Sequence, residues 1–210
     1  VAKDGTGTGT VASNPAGIAC GNDCSEAYES GRQVVLTPAA DSGFTFTGWT
    51  GCDSVDGNDC TVTLNTSRNV QASFNDLTAP VGTIAINGGA ALTNTPSVTL
   101  TLTCTDAGGC ASMRFSNDNI TWSDPEAYAS QKAWVVPSGD WERIVYAKFK
   151  DNAGNWSDPV SAAIALDTTA PVTTPSVTTG TFNGVQSITL SSNDGSPIFY
   201  TTDGSDPRTS

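Results

Sequence analysis

The residues in this chain best suited to chemistry are oxygen donors. Asp151, Asn152 and Asn155 lie within a run of five that also holds Gly154. Carboxylate and amide oxygens around a glycine turn are what a hard divalent cation such as calcium takes as ligands. Asp106, between Cys104 and Cys110, and the aspartates Asp76 and Asp167 are further donors that would complete such a shell. The same residues also suit tight turns, closed by side-chain oxygens that accept from their own backbone. Both readings stand on the sequence alone. Glu126, Asp140 and Glu142 are the carboxylates that a glycosidase pair would draw on. Nothing in their spacing places two of them in one cleft, so no catalytic residue is expected.

The composition removes other chemistries. The 210 residues include 9 basic and 21 acidic side chains and no histidine, for a formal charge of −12 and a pI near 4.1. Without histidine there is no Ser-His-Asp or Cys-His catalysis and no histidine-ligated zinc or haem. So acidic a chain lacks the basic face that phosphate binding needs, and nucleic acid is excluded as a partner. No apolar run approaches the length of a membrane span. Cys20, Cys24, Cys52, Cys60, Cys104 and Cys110 are even in number and paired by nearness in sequence. Several connectivities are open to six cysteines; proximity favours Cys20–Cys24, Cys52–Cys60 and Cys104–Cys110. No CxxC spacing suggests a thiol site, so structural disulfides and an oxidising compartment are expected.

These candidate groups have to be positioned by strands. The stretch 115–157 holds Phe115, Trp122, Tyr128, Trp134, Trp141, Tyr146, Phe149 and Trp156. Within it, Ile144, Tyr146 and Lys148 alternate with Val145, Ala147 and Phe149, the period of a half-buried strand. Residues 96–103 and 44–49 alternate in the same way, and 33–37, 60–64 and 69–74 are further short strands. A Gly/Thr strand is expected over 5–11, and the last strand of the middle region over 161–166. No stretch has a helical period. The runs Asp76-Leu77-Thr78-Ala79-Pro80 and Asp167-Thr168-Thr169-Ala170-Pro171 are near-identical and a domain's length apart, with a proline stiffening each. The expected architecture is all-β: small immunoglobulin-like β-sandwich modules in tandem over 1–75, 76–169 and 170–210, the third incomplete. The chain opens at Val1, and a mature processed product or a fragment of a longer secreted chain is expected.

Three resemblances refine this. GTGTVASNPAGIACGNDCSEAYESGRQVVLTP, FTFTGWTGC and CTVTLNTSRNVQASF resemble the bacterial repeats related to the B repeats of internalin. That resemblance implies bridges Cys20–Cys24 and Cys52–Cys60 and a core position for the Gly48-Trp49 pair. FSNDNITWS, VYAKFKDNAGNWS and the two TAP junctions resemble bacterial immunoglobulin-like modules of secreted and surface proteins. YTTDGS, at 200–205, resembles the C-terminal β-sandwich module attached to chitobiases and hexosaminidases.

Together they imply a non-catalytic extracellular or cell-surface protein with a structural or adhesive role. The expected assembly is a filament or stalk that self-associates as a homopolymer, by strand pairing at Ile188, Leu190, Ile198 and Tyr200. The alternative is a carbohydrate-binding accessory region of a larger secreted enzyme, with Trp122, Trp134, Trp141 and Trp156 as candidate contacts for a glycan. No cofactor is required, and calcium is the one candidate.

Overall fold

The computed structural model describes residues 1–207. The last three residues of the third segment, Arg208 to Ser210, lie outside the described residues.

Residues 1–75 form seven strands: β1 (Ala2–Asp4), β2 (Gly9–Asn14), β3 (Arg32–Ala40), β4 (Thr45–Thr50), β5 (Ser54–Asp56), β6 (Asp59–Leu64) and β7 (Gln71–Asn75). They make two sheets, ordered β1-β7-β4 and β2-β3-β6-β5, with β1 parallel to β7. Val11, Val34, Leu36, Val62, Val70, Ala72 and Phe74 fill the space between the sheets. Alternation explains this, because side chains on a strand point to opposite faces by turns. The single strand expected over 5–11 is broken. Residues 5–7 bend, and Gly5, at φ 103, adopts a left-handed conformation that suits glycine.

The next region adds β8 (Val81–Ile86), β9 (Leu92–Thr93), β10 (Ser97–Thr105), β11 (Cys110–Ser116), β12 (Glu126–Ala127), β13 (Gln131–Val135), β14 (Trp141–Asp151) and β15 (Val160–Leu166). Sheets β13-β10-β8 and β12-β11-β14-β15-β9 enclose a second core. Along β10 the buried residues are Val98, Leu100 and Leu102, with threonines between them facing solvent. On that outer face the hydroxyls of Thr83 and Thr103 lie 2.6 Å apart, a cross-strand hydrogen bond. Val145, Ala147 and Phe149 of β14 are fully buried, and Ile144, Tyr146 and Lys148 lie on its half-buried face.

The third segment is different in kind. Its described ladder is β16 (Thr173–Pro175) against β17 (Leu190–Ser192), three residues on each side. Of Ile188, Leu190, Ile198 and Tyr200, the residues expected to pair as strands, only Leu190 joins a ladder. A strand is held by its neighbours' hydrogen bonds, and the other three have no neighbouring strand among the described residues. Among the described residues the chain is all-β, with one short 3₁₀ turn at Asn87–Gly89. No described helix is long and apolar enough to cross a membrane.

Candidate functional site

The oxygen donors converge where the first sandwich hands over to the second. Asp76 follows directly on β7. Its backbone N–H donates to Thr6 Oγ1 of the first sandwich (3.0 Å), and its carbonyl accepts from Asn155 Nδ2 of the second (3.2 Å). Its Oδ1 closes an Asx turn, accepting from the N–H and hydroxyl of Thr78 at 3.0 and 2.8 Å. Its Oδ2 is buried and has no hydrogen-bond partner, and the residue is only 3% exposed.

Two loops of the second sandwich supply the other carboxylates. The loop between β10 and β11 is pinned by Cys104–Cys110, and its Asp106 Oδ1 accepts from Gly108 N–H at 2.7 Å. Asp151, the last residue of β14 and 1% exposed, opens the turn that follows. Asp151 Oδ1 accepts from the N–H groups of Gly154 (2.6 Å) and Asn155 (2.8 Å), and Oδ2 accepts from Asn155 Nδ2 (2.7 Å). Gly154, at φ 107, permits the sharp return. The two loops are stitched by Asn152, whose Nδ2 donates to Gly108 O (2.7 Å) and N–H to Gly109 O (3.2 Å). One oxygen each of Asp76, Asp106 and Asp151 lies within 4.8 Å of the others. Burial, then the charges of Asp76 and Asp151, push the Asp106 carboxyl above its usual range despite the opposing Gly108 hydrogen bond.

A repeated pattern clamps two loops of the second sandwich, one of them the turn that follows Asp151. Phe115…Trp122-Ser123 and Phe149…Trp156-Ser157 share one spacing. In each, the serine N–H donates to the phenylalanine carbonyl (2.8 Å), and the phenylalanine N–H donates to the serine hydroxyl (3.0 Å). The two loops are thus clamped on neighbouring strands. Arg114 bridges their indoles, 5.2 Å from the Trp122 ring centre and 4.4 Å from that of Trp156. The repeated F-x₆-WS spacing was the available signal.

The remaining sequence candidates divide. Asp167 is not in the cluster. It follows Leu166, which pairs with Trp141 at the far end of β14, ten residues from Asp151 and so about 33 Å along the strand. Asp167 is exposed, and its Oδ1 accepts from Thr169 N–H at 3.1 Å. Asn155 and Asn152 brace the cluster through their amide groups. Glu126 pairs with Lys132 at 2.5 Å, whereas Asp140 accepts from Thr168 and Thr169 at the opposite end of the sandwich, near Glu142. The three are therefore not brought into one cleft.

Trp134 donates to Asn117 Oδ1 (2.9 Å) and tilts against Phe115. Trp49 packs on Phe46 beside the first core and donates to Asn58 O (2.7 Å). Trp141 alone of the tryptophans is largely exposed, at 83%, on a left-handed backbone of φ 103. Disulfides join Cys20 to Cys24, Cys52 to Cys60 and Cys104 to Cys110. Ile188, Leu190 and Tyr200 are exposed at 58%, 36% and 70%, and Ile198 is half-buried.

Residues 3–78 match the divergent InlB B-repeat domain. Residues 177–210 match the chitobiase/beta-hexosaminidase C-terminal domain. No curated protein matches the chain. Among solved structures, the PKD1 domain of Vibrio anguillarum Epp is similar at 18% identity, with a TM-score of 0.33, covering 43% of this chain and 95% of that one. The fibronectin(III)-like modules of Clostridium thermocellum CbhA are similar at 14% identity, with a TM-score of 0.36, covering 66% of this chain and 87% of those modules. Two β-sandwich cores, three disulfides and the two matched module families fit a modular protein of an oxidising, extracellular compartment.

Proposed function

We propose that this chain is a non-catalytic extracellular structural protein, a stalk or filament protomer joined to further copies by β-strand pairing through its third segment. The observation that carries the reading is apolar exposure. Phe182, Val185, Ile188, Phe199 and Tyr200 are between 46% and 102% exposed within twenty residues, beside a ladder of three pairs. Apolar side chains gathered beside open strand edges mark a surface that another strand would cover. A contact of this kind that is not self-complementary adds copies head to tail, and builds a filament where the rotation between copies does not close a ring.

The test is light scattering and negative-stain microscopy of the full chain at neutral pH. Polymers that disappear when Ile188 and Tyr200 are both changed to Asp support the reading. A monodisperse 21.5 kDa monomer at all concentrations overturns it.

A second reading rests on a separate observation, the exposed Trp141 on its left-handed backbone. Such a side chain suits stacking on a sugar ring, and the domain matched at 177–210 is named for glycoside-cleaving enzymes. Polysaccharide pull-down with wild type and Trp141→Ala decides it: retention lost in the variant favours a carbohydrate-binding accessory region.

A further inference from the structure

We infer that Asp76, Asp106 and Asp151 bind one calcium ion in the joint between the first and second sandwiches. The inference goes beyond the structural role proposed above and stands independently of it, because it concerns a joint within one chain.

The first ground is charge. Asp76 and Asp151 are buried, and Asp106 is half-buried beside them. Three carboxylates so placed repel one another, and a buried carboxylate without a counter-charge is strongly unfavourable. The described ion pairs, Arg68–Asp53 and Lys132–Glu126, involve none of the three. Lys150, the nearest cation along β14, has its ammonium 5.8 Å from the ring centre of Trp156.

The second ground is independent of the count of acids. Asp76 Oδ2 has no donor, although every other polar atom of that residue is engaged with Thr6, Thr78 or Asn155. This oxygen points at the Asp106 loop: a β-carbon built on Gly108 would collide with it and would lie 3.4 Å from Asp106 Oδ1. The absence of a side chain at Gly108 therefore keeps open the space between two carboxylates.

The third ground is fit. Oxygens sharing a calcium ion at 2.3–2.6 Å lie at most about 5 Å apart, and these three lie within 4.8 Å. The donor set is all oxygen. The cysteines are in disulfides and histidine is absent, so zinc and the softer metals lack their ligands. Magnesium retains several waters and is rarely held by a protein cage, so buried carboxylates from three separate segments favour calcium. The donors come from the linker and from two loops of the second sandwich, so the ion would fasten the two sandwiches at a fixed angle.

The experiment is calorimetric titration of the chelator-stripped full chain with calcium chloride, alongside thermal unfolding in calcium and in chelator. One ion per chain is expected, with a melting temperature about 10 °C higher when calcium exceeds its Kd a hundredfold. Asp76→Asn and Asp106→Asn should each weaken binding by about tenfold or more, since affinity follows ligand charge. Asp106 is the less buried of the two, so its variant keeps the test usable if Asp76→Asn fails to fold. Asp167→Asn should bind as wild type. The inference is overturned if the folded chain shows neither heat nor a melting shift at millimolar calcium. Binding undiminished in Asp106→Asn, binding lost in Asp167→Asn, or magnesium binding as tightly as calcium would overturn it too.

Discussion

The two junctions start from nearly the same sequence and end in opposite environments. At Asp76-Leu77-Thr78-Ala79-Pro80 and at Asp167-Thr168-Thr169-Ala170-Pro171, the aspartate Oδ1 accepts from the N–H two residues on. The local turn is the same because short-range geometry dictates it. Asp76 is then buried under the loops at 106–108 and 151–155, while Asp167 stays exposed. The effects on nearby carboxyls run opposite ways. At the first junction burial and like charges hold Asp106 high. At the second the Thr169 hydroxyl, then the Thr168 N–H and hydroxyl, hold Asp140 low. A linker motif therefore fixes a turn, and the surfaces packed on it decide whether that turn is a charged joint or a solvated hinge.

The largest expected effect is at the buried end. Asp151→Ala leaves the N–H groups of Gly154 and Asn155 without their acceptor, and should cost about 3 kcal/mol. Urea unfolding in chelator measures it; a loss comparable to that of a surface change would break the contrast. Gly108→Ala should cost about 1–3 kcal/mol, because the new methyl group meets Asp76 Oδ2. It should also raise the spread of inter-module angles seen by small-angle scattering.

At the second junction the effects shrink. Asp140→Ala removes the acceptor for the Thr168 amide and for the hydroxyls of Thr168 and Thr169, so the Thr168 amide should exchange faster while global melting barely moves. Acid sharpens the same point. Asp140 has a depressed folded pKa, so it contributes stability above its unfolded value near 4, lost as pH falls through the folded one. Asp118 behaves alike: the N–H groups of Ile120 and Thr121 and the Ser116 hydroxyl bring it to about 2. Protection of the amides of Ile120 and Thr121 should therefore fall between about pH 4 and pH 2, and that of the Thr168 amide should fall as pH drops below about 4. Asp167→Ala, at an exposed site, should change stability by no more than about 0.5 kcal/mol.

Much of the fold was legible because strands announce themselves by alternation. The run 97–105 reads inside-outside residue by residue, and β10 follows it. The third segment misled for the same reason. Ile198, Tyr200 and their neighbours look like a strand, but alternation supplies a face and not a partner. Of the clustered aspartates, Asp106 and Asp151 are legible from the turn residues beside them. Asp167 shares its linker motif with Asp76, and no local signal separates the two.

By itself the sequence determined the all-β character, the turns at both junctions and the absence of histidine chemistry. Each of these depends on residue type or on neighbours within a few positions. Only the tertiary structure decided which aspartate is buried, since the loops at 106–108 and 151–155 reach Asp76 from thirty to eighty residues away in sequence. Burial and Coulomb repulsion act through space. Two copies of one motif therefore acquire different chemistry when the chain packs against one and leaves the other in water.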